Sequence, residues 1–230
     1  MVLATYNERE HIARIIDDLK AHIDQPLEII IVDDDSTDGT GDIVEQLGYF
    51  EVKLIRRKQR GLASAFHRGI LESTGTIVCW MDADATMPAE VLRKMIDRLE
   101  NCDIAIGSRY VEGGSDNRAA LRVMASRTIN TLARVVLGGD VKDYDSGFVA
   151  VRREIFDSVT IIPVGYGEYF IEMVYDAYRS GLRISEVGYA FTDRAVGVSK
   201  SMPSLWAFLK TGCKYVYRIF AVRIRSMIAG

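Results

Sequence analysis

The sequence predicts an α/β fold in which a mostly parallel central sheet is flanked by helices. Short apolar runs alternate with segments of helical periodicity, the pattern of strands connected by helices. The chain has 230 residues, 48% of them hydrophobic, which is enough to bury the core of one such domain. Acidic and polar residues follow several apolar runs, at the strand ends where open α/β sheets bind ligands.

The first half of the chain shows this alternation most regularly. Strands are predicted at 1–4, 28–33, 51–56, 76–82 and 103–107. Helices are predicted at 9–22, 39–48, 61–73 and 88–100. The first run is short for a buried strand, which suggests that a few native residues precede Met1.

The rhythm changes after Gly107. Residues 108–117 are polar and contain glycine, so a mobile loop is predicted there. The later predictions are helix 118–137, strand 147–152, helix 167–180, strand 183–191 and helix 203–226. Because no linker or internal repeat divides the chain, we expect one catalytic domain over 1–200 and a basic amphipathic helical tail over 201–230.

The charge distribution separates the tail from the rest of the chain. The net charge of −3 argues against a general nucleic-acid-binding protein, which would be basic. From Ala195 to Gly230 there are six basic residues and no acidic one, mixed with aromatic and aliphatic side chains. Interfacial helices have this composition, so the tail is expected to contact a membrane surface. The alternatives are a helix packed on the core and the lead-in to a membrane segment outside this sequence.

Cysteine usage and hydropathy indicate the compartment. Cys79, Cys102 and Cys213 are scattered, without metal-binding spacing, which fits a reducing environment and no structural zinc. The sequence has no signal peptide and no apolar stretch of about 18 residues, so a spanning helix is not expected. Together these features predict a cytoplasmic protein, peripheral on the cytoplasmic face of a membrane.

Asp82 and Asp84 end the apolar run that begins at Thr76. Alternate side chains of a strand point to opposite faces, so these carboxylates should share a face while Ala83 turns away. Two hard oxygen ligands suit Mg²⁺ or Mn²⁺, which fills its other positions with water and substrate phosphates. A diphosphate is therefore the expected ligand. The Asp-x-Asp pattern occurs three times in this chain, and a solvated loop is the alternative for any one of them.

Polar residues also end the first two predicted strands. The first strand leads into Thr5-Tyr6-Asn7-Glu8, and the second into an acidic run that begins at Asp33. Such closely spaced acids repel one another unless they bind a cation, cap a helix or accept hydrogen bonds from a ligand. Ser36, Thr37 or Asp38 is expected to cap the next helix, whereas Asp34 is expected to face a ligand.

Seven segments carry a family resemblance in order and at fitting spacing. They are Thr5-Tyr6-Asn7-Glu8, Val32 to Thr40, Gly61 to Ala65, Met81-Asp82-Ala83-Asp84, Ile106 to Tyr110, Asp143 to Phe148 and Asp193 to Lys200. With these segments the chain resembles the inverting GT-A-fold glycosyltransferases of family 2, and within them the dolichol-phosphate (polyprenyl-phosphate) mannose synthases. The resemblance runs from about residue 2 to residue 200. It implies the GT-A nucleotide-diphospho-sugar transferase fold.

The resemblance also implies roles for individual residues. The positions that match those holding the base and ribose of the nucleotide are Tyr6, Glu8, Val32 and Asp34. Asp82 and Asp84 match the metal-binding pair, with Ala83 between them in the nucleotide site. The cations that match positions near the donor diphosphate and the acceptor phosphate are Arg109, Arg122, Arg194 and Lys200. Of all these residues, Asp84, Arg194 and Lys200 are the expected catalytic ones.

The chain departs from the family pattern at four positions. Ala4 replaces a usual Pro, and Val198 replaces a common Glu. Thr86 stands where mannose synthases often have a Gln that contacts metal or phosphate. Asp145 is an additional acid beside Ser146. These changes leave the reaction class intact but make the sugar harder to assign.

The resemblance implies transfer of a hexose, with mannose from GDP-mannose as the expected donor, to a polyprenyl (dolichyl) phosphate with inversion. The acceptor phosphate is already ionised at pH 7, so no strong general base is required. One alternative is another donor such as UDP-glucose, or a saccharide acceptor with Asp145 as the base. Two further alternatives belong to other classes of protein. A phosphoacceptor signalling domain also places acids at strand ends, but it would leave residues 108–230 unexplained. A non-catalytic nucleotide-sugar-binding protein would be distinguished from an enzyme by an activity assay.

Overall fold

The computed structural model describes residues 1–192 and 205–228. The strands are β1 (Val2–Thr5), β2 (Ile29–Asp33), β3 (Val52–Arg56), β4 (Ile77–Asp82), β5 (Ile104–Ser108), β6 (Ser115–Asp116), β7 (Val149–Arg152), β8 (Ile184–Gly188) and β9 (Ala190–Phe191). The helices are α1 (Ile12–His22), α2 (Thr40–Leu47), α3 (Leu62–Glu72), α4 (Ala89–Arg98), α5 (Ala120–Leu137), α6 (Glu168–Arg179) and α7 (Leu205–Ile228). A short 3₁₀ helix over Arg153–Asp157, which the sequence patterns did not predict, follows β7.

The main sheet has the strand order β3-β2-β1-β4-β7-β5-β8. β7 is antiparallel to its neighbours β4 and β5, and the other pairs are parallel, so the prediction of a mostly parallel sheet is confirmed. The register aligns Ala4 of β1 with Asp82 of β4, and Thr5 with Asp33 of β2. The polar strand ends therefore meet at one edge of the sheet.

Both faces of the central strands are buried, which explains why they appear in the sequence as continuous apolar runs. On one face, Leu3 and Ile31 pack in the same cluster as apolar side chains of α1 and α4. On the other, Val2 and Trp80 pack with side chains of α3, α5, α6 and α7. The Trp80 indole donates a hydrogen bond to the Tyr169 hydroxyl on α6 at 2.8 Å, so its polar group is satisfied within the core.

Two predictions between β5 and α7 need correction. The segment 108–117, predicted as a mobile loop, contains β6, and the predicted strand 183–191 is divided into β8 and β9. β6 and β9 form a separate parallel pair, with the Ser115 N–H donating to the Tyr189 carbonyl at 3.0 Å. This pairing joins residues far apart in the chain, so the local polarity of 108–117 does not reveal it.

Helix α7 packs against α5 and α6 with buried Tyr215, Ile219 and Val222. This part of the predicted tail is therefore packed on the core, as one of the alternatives had it. Other α7 side chains, including Ile224 and Met227, remain exposed. Within 1–192 and 205–228, no helix combines the length and the apolar character needed to cross a bilayer. The predicted domain boundary at residue 200 lies outside the described residues and stays a prediction.

Candidate active site

A cavity of about 440 Å³ opens at the edge of the sheet where β4 and β5 end. The antiparallel strand β7 begins at the same edge, so the segment that precedes it contributes Asp145 to the wall. The remaining wall comes from α3, the start of α5 with the residues just before it, the first turn of α6, the residues around β9 and one residue of α7. The cavity thus lies where an open α/β sheet places its ligands.

Asp82 and Asp84 line this cavity together, as the strand alternation predicts. Asp82 is the last residue of β4, and Ala83 between the two is buried. Asp84 Oδ1 accepts hydrogen bonds from the Thr86 N–H at 3.2 Å and the Thr86 hydroxyl at 2.5 Å. Ala85, with φ of 59°, forms the tight turn between them. Thr86 thus orients one carboxylate of the pair.

The donor set of this pair fits a hard divalent cation. No group of three or more His, Cys, Asp or Glu side chains that could enclose a metal occurs among the described residues. A two-carboxylate site suits Mg²⁺ or Mn²⁺, because these ions keep several positions for water and substrate phosphates. The residues present therefore fit an ion that is completed by a diphosphate.

Arg109 follows β5 and lines the cavity while almost fully buried. Its Nε and Nη2 donate to the two oxygens of Asp143 at 2.8 and 2.6 Å. Its Nη2 also donates to the Asp145 carbonyl at 3.0 Å. Burial alone would lower the pKa of Arg109, but the neighbouring acidic groups, with Asp143 first and Asp145 next, together outweigh it and the pKa is raised. Arg109 therefore stays charged and holds the segment before β7 in place. The sequence analysis did not identify Asp143 as the partner of Arg109.

Two arginines at the start of α5 complete the basic side of the cavity. Arg122 was predicted from the sequence, whereas Arg118 was missed. Arg118 forms a two-pronged ion pair with Asp116 of β6, with a shortest distance of 2.6 Å, and its guanidinium lies 5.0 Å from the Phe191 ring centroid. The β6–β9 pair therefore positions it. The sequence contained one signal for Arg118, which is its position four residues before the predicted Arg122.

Asp145 forms part of the cavity wall through contacts from three elements. Its Oδ2 accepts from the Ser126 hydroxyl of α5 at 3.2 Å and lies 3.6 Å from Arg109 Nη2. The Tyr215 hydroxyl of α7 also hydrogen-bonds to its carboxylate. Burial raises the pKa of Asp145, against the opposing effect of Arg109. The additional acid noted in the sequence is therefore inside the site.

The predicted nucleotide-binding residues Tyr6, Glu8, Val32 and Asp34 lie at the ends of β1 and β2, outside the described lining of this cavity. Asp34 forms an ion pair with Arg57 and accepts from the Gly61 N–H at 2.9 Å, just before α3. The Arg60 guanidinium lies 3.9 Å from the centroid of the Tyr6 ring and donates to its hydroxyl. Arg57 and Arg60, which the sequence analysis missed, therefore contact Asp34 and Tyr6, two of the residues predicted to bind the nucleotide.

The other acids after β2 have structural roles. Asp33 accepts from the Thr5 hydroxyl at 2.9 Å and from the Ser36 N–H at 2.9 Å, which closes the turn. Asp38 accepts from the N–H of Thr40, the first residue of α2, at 2.9 Å. The N-cap residue of α2 is Gly39, so none of the three predicted candidates occupies the cap position, and Asp38 bonds the first helical residue from just before it.

A second concave surface of about 640 Å³ lies between α5 and α7. The residues that it shares with the first cavity are Arg118, Arg122, Asp145, Tyr166 and Tyr215. Much of the remaining wall is apolar and includes Met124, Ile129 and Val216. A polar cavity thus opens directly into an apolar groove. Arg194 and Lys200 lie outside the described residues, so their predicted place in this site stays untested.

Comparisons with known proteins identify the family. A model of the family "Glycosyl transferase family 2" matches residues 1–160. The chain is 39% identical to a dolichol-phosphate mannosyltransferase of Pyrococcus furiosus, over 87% of this chain and 58% of that protein. It is 33% identical to a polyprenol monophosphomannose synthase of Mycolicibacterium smegmatis, over 87% of this chain and 79% of that protein. The chain therefore spans less than two thirds of the length of the Pyrococcus relative.

Solved structures with the same fold are more distant in sequence. The glucosyl-3-phosphoglycerate synthase of Mycobacterium tuberculosis, in complex with Mn²⁺, UDP and glucosyl-3-phosphoglycerate, superposes with a TM-score of 0.72. It is 20% identical, and the match covers 96% of this chain and 78% of that one. The same enzyme has also been crystallised with Mg²⁺ and UDP. The predicted fold and family are confirmed: this chain has the GT-A fold and belongs to glycosyl transferase family 2.

Proposed function

We propose that this glycosyltransferase transfers mannose from GDP-mannose to a polyprenyl (dolichyl) phosphate, with inversion at the anomeric carbon. The observation that carries the proposal is the continuity between the polar cavity, with its paired carboxylates and arginines, and the apolar groove between α5 and α7. A nucleotide sugar matches the polar cavity, and a lipid-linked phosphate matches the apolar groove. The names of two relatives, a dolichol-phosphate mannosyltransferase and a polyprenol monophosphomannose synthase, support this choice of substrates.

On the donor side, Asp82 and Asp84 would hold Mg²⁺ or Mn²⁺ against the diphosphate of the donor. When bound, the ion supplies Lewis-acid stabilisation of the charge on the departing nucleoside diphosphate. Thr86 contributes by fixing the orientation of Asp84. The base and ribose are assigned to the neighbouring strand ends, at Tyr6, Glu8, Val32 and Asp34. Because Arg57 and Arg60 contact two of these residues, we expect them to move or to join the nucleotide contacts.

On the acceptor side, the phosphate would lie where the cavity and the groove meet, beside Arg118 and Arg122. Guanidinium groups bind such oxyanions strongly because their hydrogen bonds are charge-assisted. The phosphate oxygen is ionised at pH 7 and attacks without a general base, so catalysis rests on positioning and charge stabilisation. From the family resemblance, Arg194 and Lys200 are assigned to phosphate contacts in the same site.

The lipid acceptor would place the enzyme at a membrane surface, which we assign to the cytoplasmic face. Helix α7 exposes Phe220, Ile224, Met227 and Ile228. Apolar side chains among basic residues form the pattern of an interfacial helix.

A second candidate function follows from Asp145. A half-buried carboxylate at the acceptor end of the cavity could serve as a general base for a hydroxyl acceptor, as a saccharide-directed transferase requires. The two candidates differ in the effect of Asp145→Asn. Loss of the base would abolish transfer to a saccharide, whereas transfer to a polyprenyl phosphate would persist.

The test is a transfer assay with labelled GDP-mannose or UDP-glucose, offered a polyprenyl phosphate or a free saccharide, with Mg²⁺ or Mn²⁺. We expect mannosyl transfer to the lipid phosphate, abolished by excess chelator. Asp84→Asn should reduce the rate by roughly 10²-fold or more because it removes charge at the metal site. Its melting temperature should change little, since an Asn oxygen can still accept from Thr86.

Asp38→Asn is the matched control for this assay. The Thr40 N–H and hydroxyl donate to Asp38 Oδ1 at 2.9 and 2.5 Å, the same arrangement as in the Asp84 turn. This variant should keep the wild-type rate. Full activity of the wild type in excess chelator would refute the metal role, and transfer only to saccharides would refute the lipid acceptor. Donor binding without any transfer would favour a non-catalytic nucleotide-sugar-binding protein.

A further inference from the structure

Tyr215 of α7 contributes directly to the wall of the cavity. Its side chain is buried, lines both the polar cavity and the apolar groove, and hydrogen-bonds to Asp145. Its hydroxyl lies against Gly167, where an added Cβ would overlap the hydroxyl oxygen. Tyr215 lies beyond residue 160, where the match to the family model ends.

Asp145 is the third acid of the described lining, beside the Asp82 and Asp84 pair. The other two acids are assigned to a cation, whereas Asp145 lies among arginines. Arg118 is close enough to influence its pKa. A carboxylate in this position competes with any phosphate for the same guanidinium groups. The direction in which Asp145 points therefore bears on anion binding at the junction of cavity and groove.

The position of Tyr215 is itself secured by ion pairs between α7 and α6. Glu172 of α6 is buried and accepts from Arg218 at 2.8 Å and from Arg225. The hydroxyls of Tyr175 and Ser226 are 2.8 Å apart on the same two helices. These contacts hold α7 in the register that brings Tyr215 to Asp145.

We propose that Tyr215 is a positioning residue that holds the Asp145 carboxylate beside Ser126, where it competes less with an acceptor phosphate for the guanidinium groups of Arg118 and Arg122. The inference rests on the proposed function, because it takes a polyprenyl phosphate as the acceptor. In this role α7 completes the acceptor site. Without the Tyr215 hydroxyl, Asp145 can rotate toward these guanidinium groups and compete with the phosphate for their hydrogen bonds.

The test measures binding of farnesyl phosphate, a short water-soluble polyprenyl phosphate, by titration calorimetry, with farnesol as the uncharged reference. Tyr215→Phe should weaken farnesyl phosphate binding roughly tenfold, the size expected when an anion loses one charge-assisted contact. Farnesol binding should not change. The double variant Tyr215→Phe with Asp145→Asn should restore the affinity, because the competing charge is gone.

Tyr49→Phe is the matched control, since the Tyr49 hydroxyl donates to Asp17 at 2.9 Å on the exposed surface. It should leave farnesyl phosphate affinity unchanged. Unchanged affinity of Tyr215→Phe, or loss without rescue by Asp145→Asn, would overturn the proposal, because displacement of α7 alone would not be repaired by removing an acid. Binding and rescue in an enzyme that transfers no sugar would instead refute the proposed function and leave the role of Tyr215 standing.

Discussion

The three cysteines of this chain differ in how far they are exposed to solvent. Cys79 is buried within β4, and this burial raises the pKa of its thiol to about 11. Burial also raises the pKa of Cys102. Cys213 is exposed on α7 and lines the apolar groove. Because the thiolate is the reactive form, burial and a raised pKa both disfavour reaction at Cys79 and Cys102, whereas Cys213 is accessible.

This difference predicts a selective labelling reaction. At pH 8, a thiol with a pKa of about 11 is ionised to only about one part in 10³, so Cys79 should react with iodoacetamide only after unfolding. Cys213 should react first, as checked by mass spectrometry of tryptic peptides. Saturating farnesyl phosphate should slow labelling of Cys213, and farnesol less so. Unchanged labelling with bound ligand would show that the acceptor chain lies elsewhere.

At the scale of elements, the contact between α6 and α7 helps to hold α7, one wall of the groove, in place. Glu172 has 1% of its side chain exposed and pairs with Arg218 and Arg225, which are 20% and 55% exposed. Removing the charge of a buried partner leaves the opposing charges uncompensated, and this costs more than loss of a surface ion pair.

Glu172→Gln is expected to lower the free energy of unfolding by about 2–4 kcal/mol. Glu72→Gln is the matched control, because Glu72 pairs with Lys53 and Arg68 but its side chain is 30% exposed. That change should have a much smaller effect, because solvent screens an exposed ion pair. Denaturant unfolding of both variants measures the difference. Equal small effects would mean that the ion pairs do not secure α7.

At the scale of the whole molecule, α5 and α7 both expose apolar side chains to solvent. Ile224 and Met227 of α7 and Met124 of α5 are all more than half exposed. Deleting 203–230 would not isolate this surface, because it would also remove Tyr215 and Ile219 from the core. Substitutions of exposed residues are therefore the better test of membrane contact.

The double variant Ile224→Ser with Met227→Ser should weaken binding to anionic vesicles, since each buried CH₂ contributes about 0.8 kcal/mol. Wild-type binding should also fall steeply with salt, because attraction to anionic lipids is screened within a Debye length. Phe50→Ser removes an equally apolar, fully exposed side chain on the loop before β3 and is the control. Sedimentation with vesicles measures all three proteins. Absence of wild-type binding at low salt would contradict the assignment of a membrane surface.

The sequence by itself determined those features that depend on residues close together along the chain. Apolar periodicity predicted the strands of the main sheet and the helices that flank it. Alternation along β4 predicted that Asp82 and Asp84 share a face, and both line the cavity. The ordered motifs were sufficient for the family, because they combine residue type with spacing. Predictions succeeded where the information is local or repeated along the chain.

Only the tertiary structure decided which polar groups are already paired. Arg109 meets Asp143 across 34 residues and Arg57 meets Asp34 across 23, so neither pair has a local signal. The β6–β9 pair and the approach of Tyr215 to Asp145 likewise depend on how distant segments pack. Residue types and spacing show which side chains can bind an ion or a phosphate. Long-range packing decides which partners they meet, because burial requires every charged group to find one.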